Sequence, residues 1–382
     1  MLTGKFNIVT DGQWGSCGKG AVTTALAFKY RPEFLSTTNM SNAGHTAVYY
    51  DERKFIAKAL PSATALNYWT INEEPTQIYS PKIIVGPTAA FDMDQLLKEV
   101  EICKLAQNQL FIHPRAGVIT EQHKEAECDN ASGTKHIAST MQGCGAFLAD
   151  KIMRRPHLKL ARDYEELKQY TVKEAIDDPT NCIPLWLQRQ MLSGFTVLHE
   201  GSQGFSLDIN HGSHYPQCTS RSTSAMQNAS DMGINHRQIG DVYLVIRPYP
   251  IRVGNVVENG QVVGYSGDCY NDHEEMTWEQ VAKAAGAPPE VMAGELTTVT
   301  KRLRRVFGFS KQQLVEAAAV NGASKIALNF ANYIDWSIYG ASEYDRLTQK
   351  VIDFIYMIED LVQLPVTFIG TGPKINQCII VK

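Results

Sequence analysis

The chain has 382 residues and a formal net charge of -4, with 44% hydrophobic and 20% charged residues. This length suits one large α/β domain or two ordinary ones, and the charge argues against broad nucleic-acid affinity, which needs clustered positive residues. The sequence contains no run of about 18 apolar residues, so no membrane span is expected. The first residues lack the basic and apolar regions of a secretory signal.

The cysteines form no Cys-x-x-Cys pair, and their spacings are irregular. Such a pattern is typical of reduced thiols rather than of a disulfide framework or a zinc site. We therefore expect a cytoplasmic enzyme without structural zinc.

Short β-branched segments bounded by glycine or proline predict buried strands at Phe6–Thr10, Lys82–Val85, Phe195–Leu198, Val242–Ile246 and Pro365–Ile369. Helical spacing of apolar residues predicts helices at Ala21–Phe28, Asp94–Leu105, Gln312–Val320 and Tyr344–Leu361. Long polar stretches predict surface loops at Glu121–Gly133 and Gly254–Thr277. The alternation predicts an α/β fold, with one large domain over residues 1–382 and a mostly parallel central sheet flanked by helices.

A glycine-rich segment, Asp11–Gly20, stands between the first predicted strand and the first predicted helix. Glycines let backbone N–H groups approach phosphate oxygens, while the helix N-terminus and Lys19 add positive potential. It is not a Walker A loop, because five residues rather than four separate Gly12 from Gly18 and a glycine follows the lysine. The segment predicts a phosphate-binding loop formed by Gly15, Ser16, Cys17, Gly18, Lys19 and Gly20.

Further segments, taken with this loop, resemble the adenylosuccinate synthetase family in the same order along nearly the whole chain. They are Asn42–Thr46 (NAGHT), Ile137–Gly145, Asp150–Arg155, Glu200–His211, Thr298–Arg305 and Thr371–Pro373. The resemblance implies a fold related to P-loop nucleotide hydrolases and a Mg²⁺-dependent ligase reaction in two steps. The purine 6-oxygen attacks a γ-phosphate, and aspartate then displaces that phosphate.

The resemblance also implies the residues that carry the chemistry. His45 is expected to act as a general acid toward the leaving phosphate, and Gln203 to stabilise the 6-oxyanion. Ser16 and Lys19 complete the expected catalytic set. The donor phosphates and base are expected to lie against the loop described above together with Gly44, His45, Thr46, Asn329, Phe330, Asn332, Gly370, Thr371, Gly372 and Pro373.

The acceptor nucleotide and aspartate have their own expected ligands. The acceptor set is Ser16, Asn42, Ser139, Thr140, Arg154, Gln203, Thr219 and Arg304. Arg154 resembles an arginine that reaches the phosphate from the neighbouring subunit, which implies a homodimer with shared sites. The aspartate set is Thr298, Val299, Thr300 and Arg302, since arginine suits bidentate carboxylate recognition. Mg²⁺ is expected at Ser16 and Gly44.

Ser16 departs from the family pattern, which has an aspartate there that takes the purine N1 proton and binds Mg²⁺. A serine hydroxyl carries no negative charge, is a poor base without an activating neighbour and is a weaker ligand for hard cations. It is also shorter, which leaves space beside purine N1 and C2, where guanine carries an amino group. The loop therefore resembles that of the viral 2-aminoadenylosuccinate synthetases, a variant of the family that uses dGMP as acceptor.

A second departure lies in Asn329–Asn332, where the family reads the guanine of GTP with a Thr-Lys-Leu-Asp segment. The carboxylate that accepts from guanine has become Asn332, whose amide suits adenine, and the lysine has become Phe330, whose ring can stack on a base. We therefore predict ATP or dATP as the phosphate donor.

Other functions remain open at this stage. An ordinary adenylosuccinate synthetase would use IMP and GTP, a catalytically inactive homologue would bind purine nucleotides only, and a P-loop kinase or GTPase would need the absent Walker A pattern. Asp11, a water molecule and the substrate itself are all candidates to replace the lost base. The residues do not decide between ribose and deoxyribose, and the viral variant implies a bacteriophage gene expressed in a bacterial cytoplasm.

Overall fold

The computed structural model describes residues 2, 5–71, 73, 76–128, 134–180, 182–288, 290, 293–297 and 301–381. Its strands are β1 (Phe6–Asp11), β2 (Phe34–Thr37), β3 (His45–Val48), β4 (Lys54–Ala57), β5 (Lys82–Val85), β6 (Ala90–Phe91), β7 (Leu110–Ile112), β8 (Gly117–Val118), β9 (Val197–Glu200), β10 (Ile239–Ile246), β11 (Ile251–Arg252), β12 (Val256–Glu258), β13 (Gln261–Gly264), β14 (Glu275–Met276), β15 (Arg305–Phe307), β16 (Lys325–Leu328), β17 (Val366–Gly370) and β18 (Cys378–Ile380). Its α-helices are α1 (Lys19–Tyr30), α2 (Leu66–Trp69), α3 (Met93–Ile102), α4 (Glu121–Cys128), α5 (Cys144–Ile152), α6 (Ile183–Leu192), α7 (Ala225–Asp231), α8 (Trp278–Ala285), α9 (Lys311–Asn321) and α10 (Gln349–Val362).

A nine-stranded sheet forms the centre of the molecule, in the order β18-β17-β16-β10-β1-β9-β2-β5-β7. Every neighbouring pair is parallel except β17 with β18, which is antiparallel. The predicted fold class, a mostly parallel sheet flanked by helices, is confirmed, while the extent of the domain stays a prediction.

The sheet is covered on both faces, as the apolar strands predict. Val9 of β1 packs in one core cluster with Leu26 of α1, whereas its neighbour Ile8 packs in another with Leu187 of α6. A third cluster, around Leu314 of α9, covers β10, β16 and β17 together with α10. Successive side chains of each strand therefore serve opposite layers.

Two predicted loops are wrong in part. Residues 121–128 form helix α4, because Glu, Gln, Lys and Ala favour helices even where no apolar stripe marks them. Residues 129–133 of that predicted loop lie outside the described residues. The stretch Gly254–Thr277 contains the hairpin β12–β13 and the short strand β14, whose exposed residues gave no alternating pattern. Tyr344–Arg346 is a separate 3₁₀ turn before α10.

The parallel strands place their carboxyl ends at one edge of the sheet. The segments that follow β1, β2, β9, β10, β16 and β17 therefore meet there, which is where open α/β sheets bind ligands. The loop Asp11–Gly18 and most of the expected site residues lie in these segments.

Candidate active site

The buried carboxylate of Asp11 organises the loop after β1. Its Oδ1 accepts the backbone N–H groups of Gln13 (2.9 Å) and Gly15 (3.2 Å), and its Oδ2 accepts that of Cys17 (3.0 Å). Oδ2 also pairs with Lys19 Nζ at 3.3 Å. The loop is thus closed around a single acidic side chain and leads into the N-terminus of α1.

Lys19 and Gln203 meet beside this loop. The ammonium of Lys19, which is almost fully buried, donates to Asp11 and to the carbonyl of Gln203 at 2.7 Å. An ammonium has three N–H donors, so one remains for a phosphate oxygen. The side-chain amide of Gln203 donates to Asn42 Oδ1 at 3.1 Å, which joins two of the expected acceptor ligands.

His45 has a buried acidic partner. Its Nδ1 lies 2.6 Å from Glu200 Oε1, and the Ser62 hydroxyl and backbone N–H donate to the same carboxylate. Burial raises the pKa of Glu200, but the His45 charge and the hydrogen bonds from His45 and Ser62 outweigh it and hold the pKa below its usual value. The carboxylate therefore fixes the His45 ring and leaves Nε2 as the nitrogen that can face a ligand.

The start of α1 lies directly against the His45 segment. A methyl group at Gly20 would be 3.0 Å from both His45 Cβ and the Thr46 carbonyl oxygen. The expected donor-phosphate ligands of the loop and of Gly44–Thr46 are therefore brought together.

Two of the segments expected to bind the acceptor phosphate meet at the start of α5. The thiol of Cys144, in the first turn of α5, contacts the backbone N–H of Asn42. The neighbouring Gly145 approaches Ser220, which follows Thr219. Asn42 and Ser220 therefore contact the first turn of α5, and Ser139 and Thr140 lie a few residues before it in the chain.

Arg247, directly after β10, is fully buried and connects several loops. Its Nη1 donates to the Ser16 carbonyl oxygen and to Glu295 Oε2, both at 3.1 Å, and Nη2 binds Glu295 Oε1. Its Cζ lies 4.1 Å from the centre of the Phe330 ring. The Tyr333 hydroxyl donates to Glu295 at 3.2 Å.

Among the residues expected to bind the donor base, Asn329 already makes a hydrogen bond within the protein. Its Nδ2 donates to the Cys17 carbonyl oxygen at 3.0 Å, and a methyl group at either Gly18 or Gly370 would collide with its amide. Thr371 is buried and donates to the Ala341 carbonyl oxygen at 2.6 Å. Gly372 lies half-buried and Pro373 exposed at the rim.

Asn332 and Phe330 lie on the turn that follows β16. The Asn332 side chain is almost fully buried and makes no hydrogen bond to the part of the chain that the structure describes. Phe330 has one ring face covered by Arg247 and contacts Tyr333 edge-on, with ring centres 5.3 Å apart.

The expected aspartate ligands are only partly described, because Thr298, Val299 and Thr300 lie outside the described residues. The Arg302 guanidinium donates to backbone carbonyl oxygens of Gly254 (3.0 Å), Ala138 (2.9 Å) and Ser139 (3.2 Å). These bonds connect Arg302 to the segment that contains Ser139.

The two remaining arginines differ in position. Burial lowers the pKa of Arg304, which lies near Glu295 and Arg247. Arg154, by contrast, is exposed at the end of α5.

Sequence reasoning missed Glu200 and Arg247, and it assigned no structural role to Asp11. Glu200 opens the segment that contains Gln203, so its place in that motif was a usable signal. Arg247 carried a weaker signal, a charged residue directly after a continuous apolar strand. Glu295 is distant in sequence from both loops that it helps to join, and only the fold reveals it.

The described residues contain neither a candidate membrane span nor a candidate metal cluster. No described helix is long and apolar enough to cross a membrane. The same residues contain no cluster of three His, Cys, Asp or Glu side chains arranged to hold a metal ion.

Comparison with known proteins gives a consistent result. The family model described as adenylosuccinate synthetase matches residues 8–169 and 156–336. Adenylosuccinate synthetase of Methanococcus aeolicus is 33% identical, over 98% of this chain and 99% of the relative. That of Methanocaldococcus jannaschii is 32% identical, over 97% and 95%.

Solved structures agree with the sequence relatives. Cyanophage S-2L succinoaminodeoxyadenylate synthetase (PurZ), bound to dGMP and dATP as an energy donor, aligns with a TM-score of 0.77 and 31% identity, covering 100% of this chain and 96% of that one. Fully ligated adenylosuccinate synthetase from Plasmodium falciparum shares the fold, with a TM-score of 0.75 at 19% identity and coverage of 98% and 99%.

Proposed function

Since the chain belongs to the adenylosuccinate synthetase family, we propose that it joins L-aspartate to the 6-position of dGMP with ATP or dATP as phosphate donor. The dGMP 6-oxygen attacks the γ-phosphate, and the N1 proton is lost as the diphosphate leaves. The aspartate amine then attacks C6 and displaces the 6-oxygen with its phosphate. The product is N6-succino-2-amino-2′-deoxyadenylate, a precursor for 2-aminoadenine in DNA.

Ser16 is the observation that carries this proposal. Its side chain makes no hydrogen bond to the described residues, while Arg247 holds its carbonyl oxygen. A free hydroxyl accepts a hydrogen bond from the guanine 2-amino group, and its small size leaves room for that group. The similar cyanophage protein, solved with dGMP and dATP, supports the same acceptor and donor.

The proposed catalytic roles are supported by the contacts of three side chains. Glu200 keeps His45 oriented with Nε2 toward the reaction, so the imidazole can give a proton to the leaving phosphate. The Gln203 amide, placed by Asn42, stabilises charge on the 6-oxygen, and the third N–H of Lys19 binds phosphate.

The N1 proton does not go to Asp11 in this proposal. Both Asp11 oxygens accept hydrogen bonds from the loop backbone, and one also pairs with Lys19. Removing that carboxylate from the loop would leave several buried donors without partners. A water molecule or the substrate phosphate is left as the acceptor.

Mg²⁺ fits this site only in company with the nucleotide. Ser16 and Gly44 offer a hydroxyl and a carbonyl, which are hard oxygen donors but carry no charge. The ion would neutralise the donor phosphates when bound, and phosphate oxygens and water would supply its other ligands.

An ordinary adenylosuccinate synthetase, which uses IMP and GTP, is the second candidate. The names of the curated relatives, at 31–33% identity over nearly the whole chain, favour it. Asn332 argues against it, because an amide cannot replace a carboxylate that accepts two hydrogen bonds from guanine.

Phosphate release tests the proposal, with aspartate and Mg²⁺ present and with dGMP, GMP and IMP each crossed against ATP, dATP and GTP. We expect turnover with dGMP and an adenine nucleotide, with a product mass that shows the added succinyl group. Turnover restricted to IMP and GTP would contradict the proposal, and aspartate-independent release would indicate a simple nucleotide hydrolase.

The same proposal includes a homodimer in which Arg154 reaches the acceptor phosphate of the partner. Arg154 is exposed, and its guanidinium makes no hydrogen bond to the described residues, which supports a role outside its own chain. We also propose that the protein is phage-encoded and acts in the cytoplasm of a bacterial host.

A further inference from the structure

Two residues in different loops adopt the left-handed backbone conformation, which residues other than glycine rarely adopt. Ser16, after β1, has a φ of 59°, and Phe330, after β16, has a φ of 57°. Each conformation costs free energy and persists only where the surroundings hold it in place. One loop lies on the proposed acceptor side and the other on the proposed donor-base side.

A single side chain contacts both residues. Arg247 Nη1 donates to the Ser16 carbonyl oxygen at 3.1 Å, and its Cζ lies 4.1 Å from the centre of the Phe330 ring. Because Arg247 is fully buried, water does not compete for either contact. The guanidinium is planar, so one face can stack on the ring while its edge donates hydrogen bonds.

Arg247 is itself held firmly. Glu295 takes both terminal nitrogens of its guanidinium, and Tyr333 donates to Glu295 from the same turn as Phe330. The Gln13 side chain bonds both main-chain groups of Arg247, at 3.0 and 3.1 Å. Arg247 therefore cannot move without disturbing the phosphate loop and the turn after β16 together.

We infer that Arg247 is a positioning residue that couples the donor site to the acceptor site. The inference rests on the proposed function, because that function places the acceptor at Ser16 and the donor base at Phe330. A ligand that fixes the conformation of either Ser16 or Phe330 also fixes the position of the Arg247 guanidinium that contacts both. The second ligand then binds to a site that is already in its binding conformation. Such coupling is reciprocal between two bound ligands.

The measurement is the affinity for β,γ-imido-ATP, by calorimetry on the full-length protein with Mg²⁺ and no aspartate. Each titration is performed with and without saturating dGMP, and the ratio of the two Kd values is the coupling factor. For the wild-type protein we expect dGMP to tighten binding of the analogue by about 5-fold or more.

Two variants remove the connection in different ways. Arg247→Met with Glu295→Gln removes both charges, so that neither is left buried alone, and we expect its coupling factor to fall below about 2. Arg247→Lys keeps the charge but loses the planar stack and the second terminal nitrogen, and we expect an intermediate coupling factor. If the double variant fails to fold, the coupling factor of Arg247→Lys alone tests the inference.

The matched control is the ion pair between Lys325 and Asp241, 2.9 Å apart, with the ammonium 5.2 Å from the Tyr243 ring centre. It lies at the amino ends of β10 and β16, at the opposite edge of the sheet. Lys325→Met with Asp241→Asn should leave the coupling factor unchanged. An equal loss in this control would show general loosening and would overturn the inference.

A wild-type coupling factor near 1, or an unchanged factor in both Arg247 variants, also overturns it. Failure of the proposed function gives a different result. If wild-type turnover requires IMP and GTP, the titrations are performed with IMP and β,γ-imido-GTP. The acceptor assignment then fails, while the role of Arg247 is still decided.

Discussion

Asp11 and Ser16 lie in the same loop, yet only Ser16 presents a side chain that is available to a ligand. The Asp11 carboxylate is consumed by three backbone N–H groups and Lys19. The Ser16 hydroxyl makes no hydrogen bond to the described residues, and its backbone is held from behind by Arg247. The loop therefore separates the residue that shapes it from the residue that we propose reads the acceptor.

Ser16→Asp tests this reading at one position. The carboxylate would fill the space beside purine C2 and supply a base for the N1 proton. We therefore expect kcat/KM to fall for dGMP and to rise for IMP. Each change should be about 10-fold or more, which corresponds to about 1.4 kcal/mol of transition-state stabilisation. Ser16→Ala is the control and should weaken dGMP use without a gain for IMP. Unchanged selectivity in the aspartate variant would contradict the role of Ser16.

Glu200 predicts a pH-dependent contribution to stability. Burial raises its pKa, but His45 and Ser62 outweigh burial and hold the pKa below the unfolded value of about 4.3. A carboxyl group lowered in this way stabilises the fold above that value, and the contribution is lost as the pH falls through the folded pKa. The free energy of unfolding, measured with urea, should therefore differ between wild type and Glu200→Gln at pH 7, and the difference should shrink as the pH falls below the unfolded pKa.

Glu200→Gln also distinguishes the role of Glu200 in orienting His45 from its role in stabilising the fold. Glutamine keeps an acceptor for His45 but cannot stabilise the charged ring, so we expect kcat to fall by about 100-fold with little change in donor KM. A stability gap that stays constant with pH, together with unchanged kcat, would show that Glu200 is only a packing residue.

Elements were predictable where a strand or helix carries its own apolar pattern. Lys82–Val85 and the core of β1 match the prediction, since both are short segments rich in β-branched residues. β2 was missed because Ser36 and Thr37 are polar, and the structure satisfies them within the sheet by bonds to His199 and to the Glu200 carbonyl oxygen. The motif residues of the site were recognisable from resemblance, whereas Arg247 and Glu295 required the fold, because 48 positions separate them.

Gly370 tests how closely the element ends pack at the donor side. A methyl group there would lie 1.9 Å from Asn329 Oδ1 and 3.3 Å from Asn329 Cα. Gly370→Ala should therefore destabilise the fold by about 1–3 kcal/mol and raise the donor KM, as measured by urea unfolding and initial rates. Adding Asn329→Ala should recover part of the loss, because it removes the colliding amide. Gly308→Ala, with no atom closer than 3.8 Å to the new methyl group, is the control and should change little.

At the scale of the whole molecule, one sheet edge gathers most of the expected site residues that the structure describes, and Arg154 is not among them. That arginine follows the end of α5 on the surface, beside the exposed apolar side chains of Ile152 (73%) and Met153 (60%). Exposed apolar residues beside a charged residue are a common feature of protein–protein contacts. A complete acceptor site therefore requires a second copy of the chain under the proposed function.

Mixing two inactive variants tests this arrangement directly. Arg154→Ala and His45→Ala should each lose most activity as pure dimers, since each removes a residue from both sites. In a mixed dimer, one site combines the intact His45 of one protomer with the intact Arg154 of the other, and the second site lacks both. Random re-association of equal amounts should thus restore about a quarter of wild-type activity, because half of the dimers are mixed and each has one working site.

The measurement is aspartate-dependent phosphate release after reversible dissociation, with each variant treated alone as the control. If the mixture stays as inactive as its parts while size-exclusion chromatography shows dimers, Arg154 acts within its own chain or not at all.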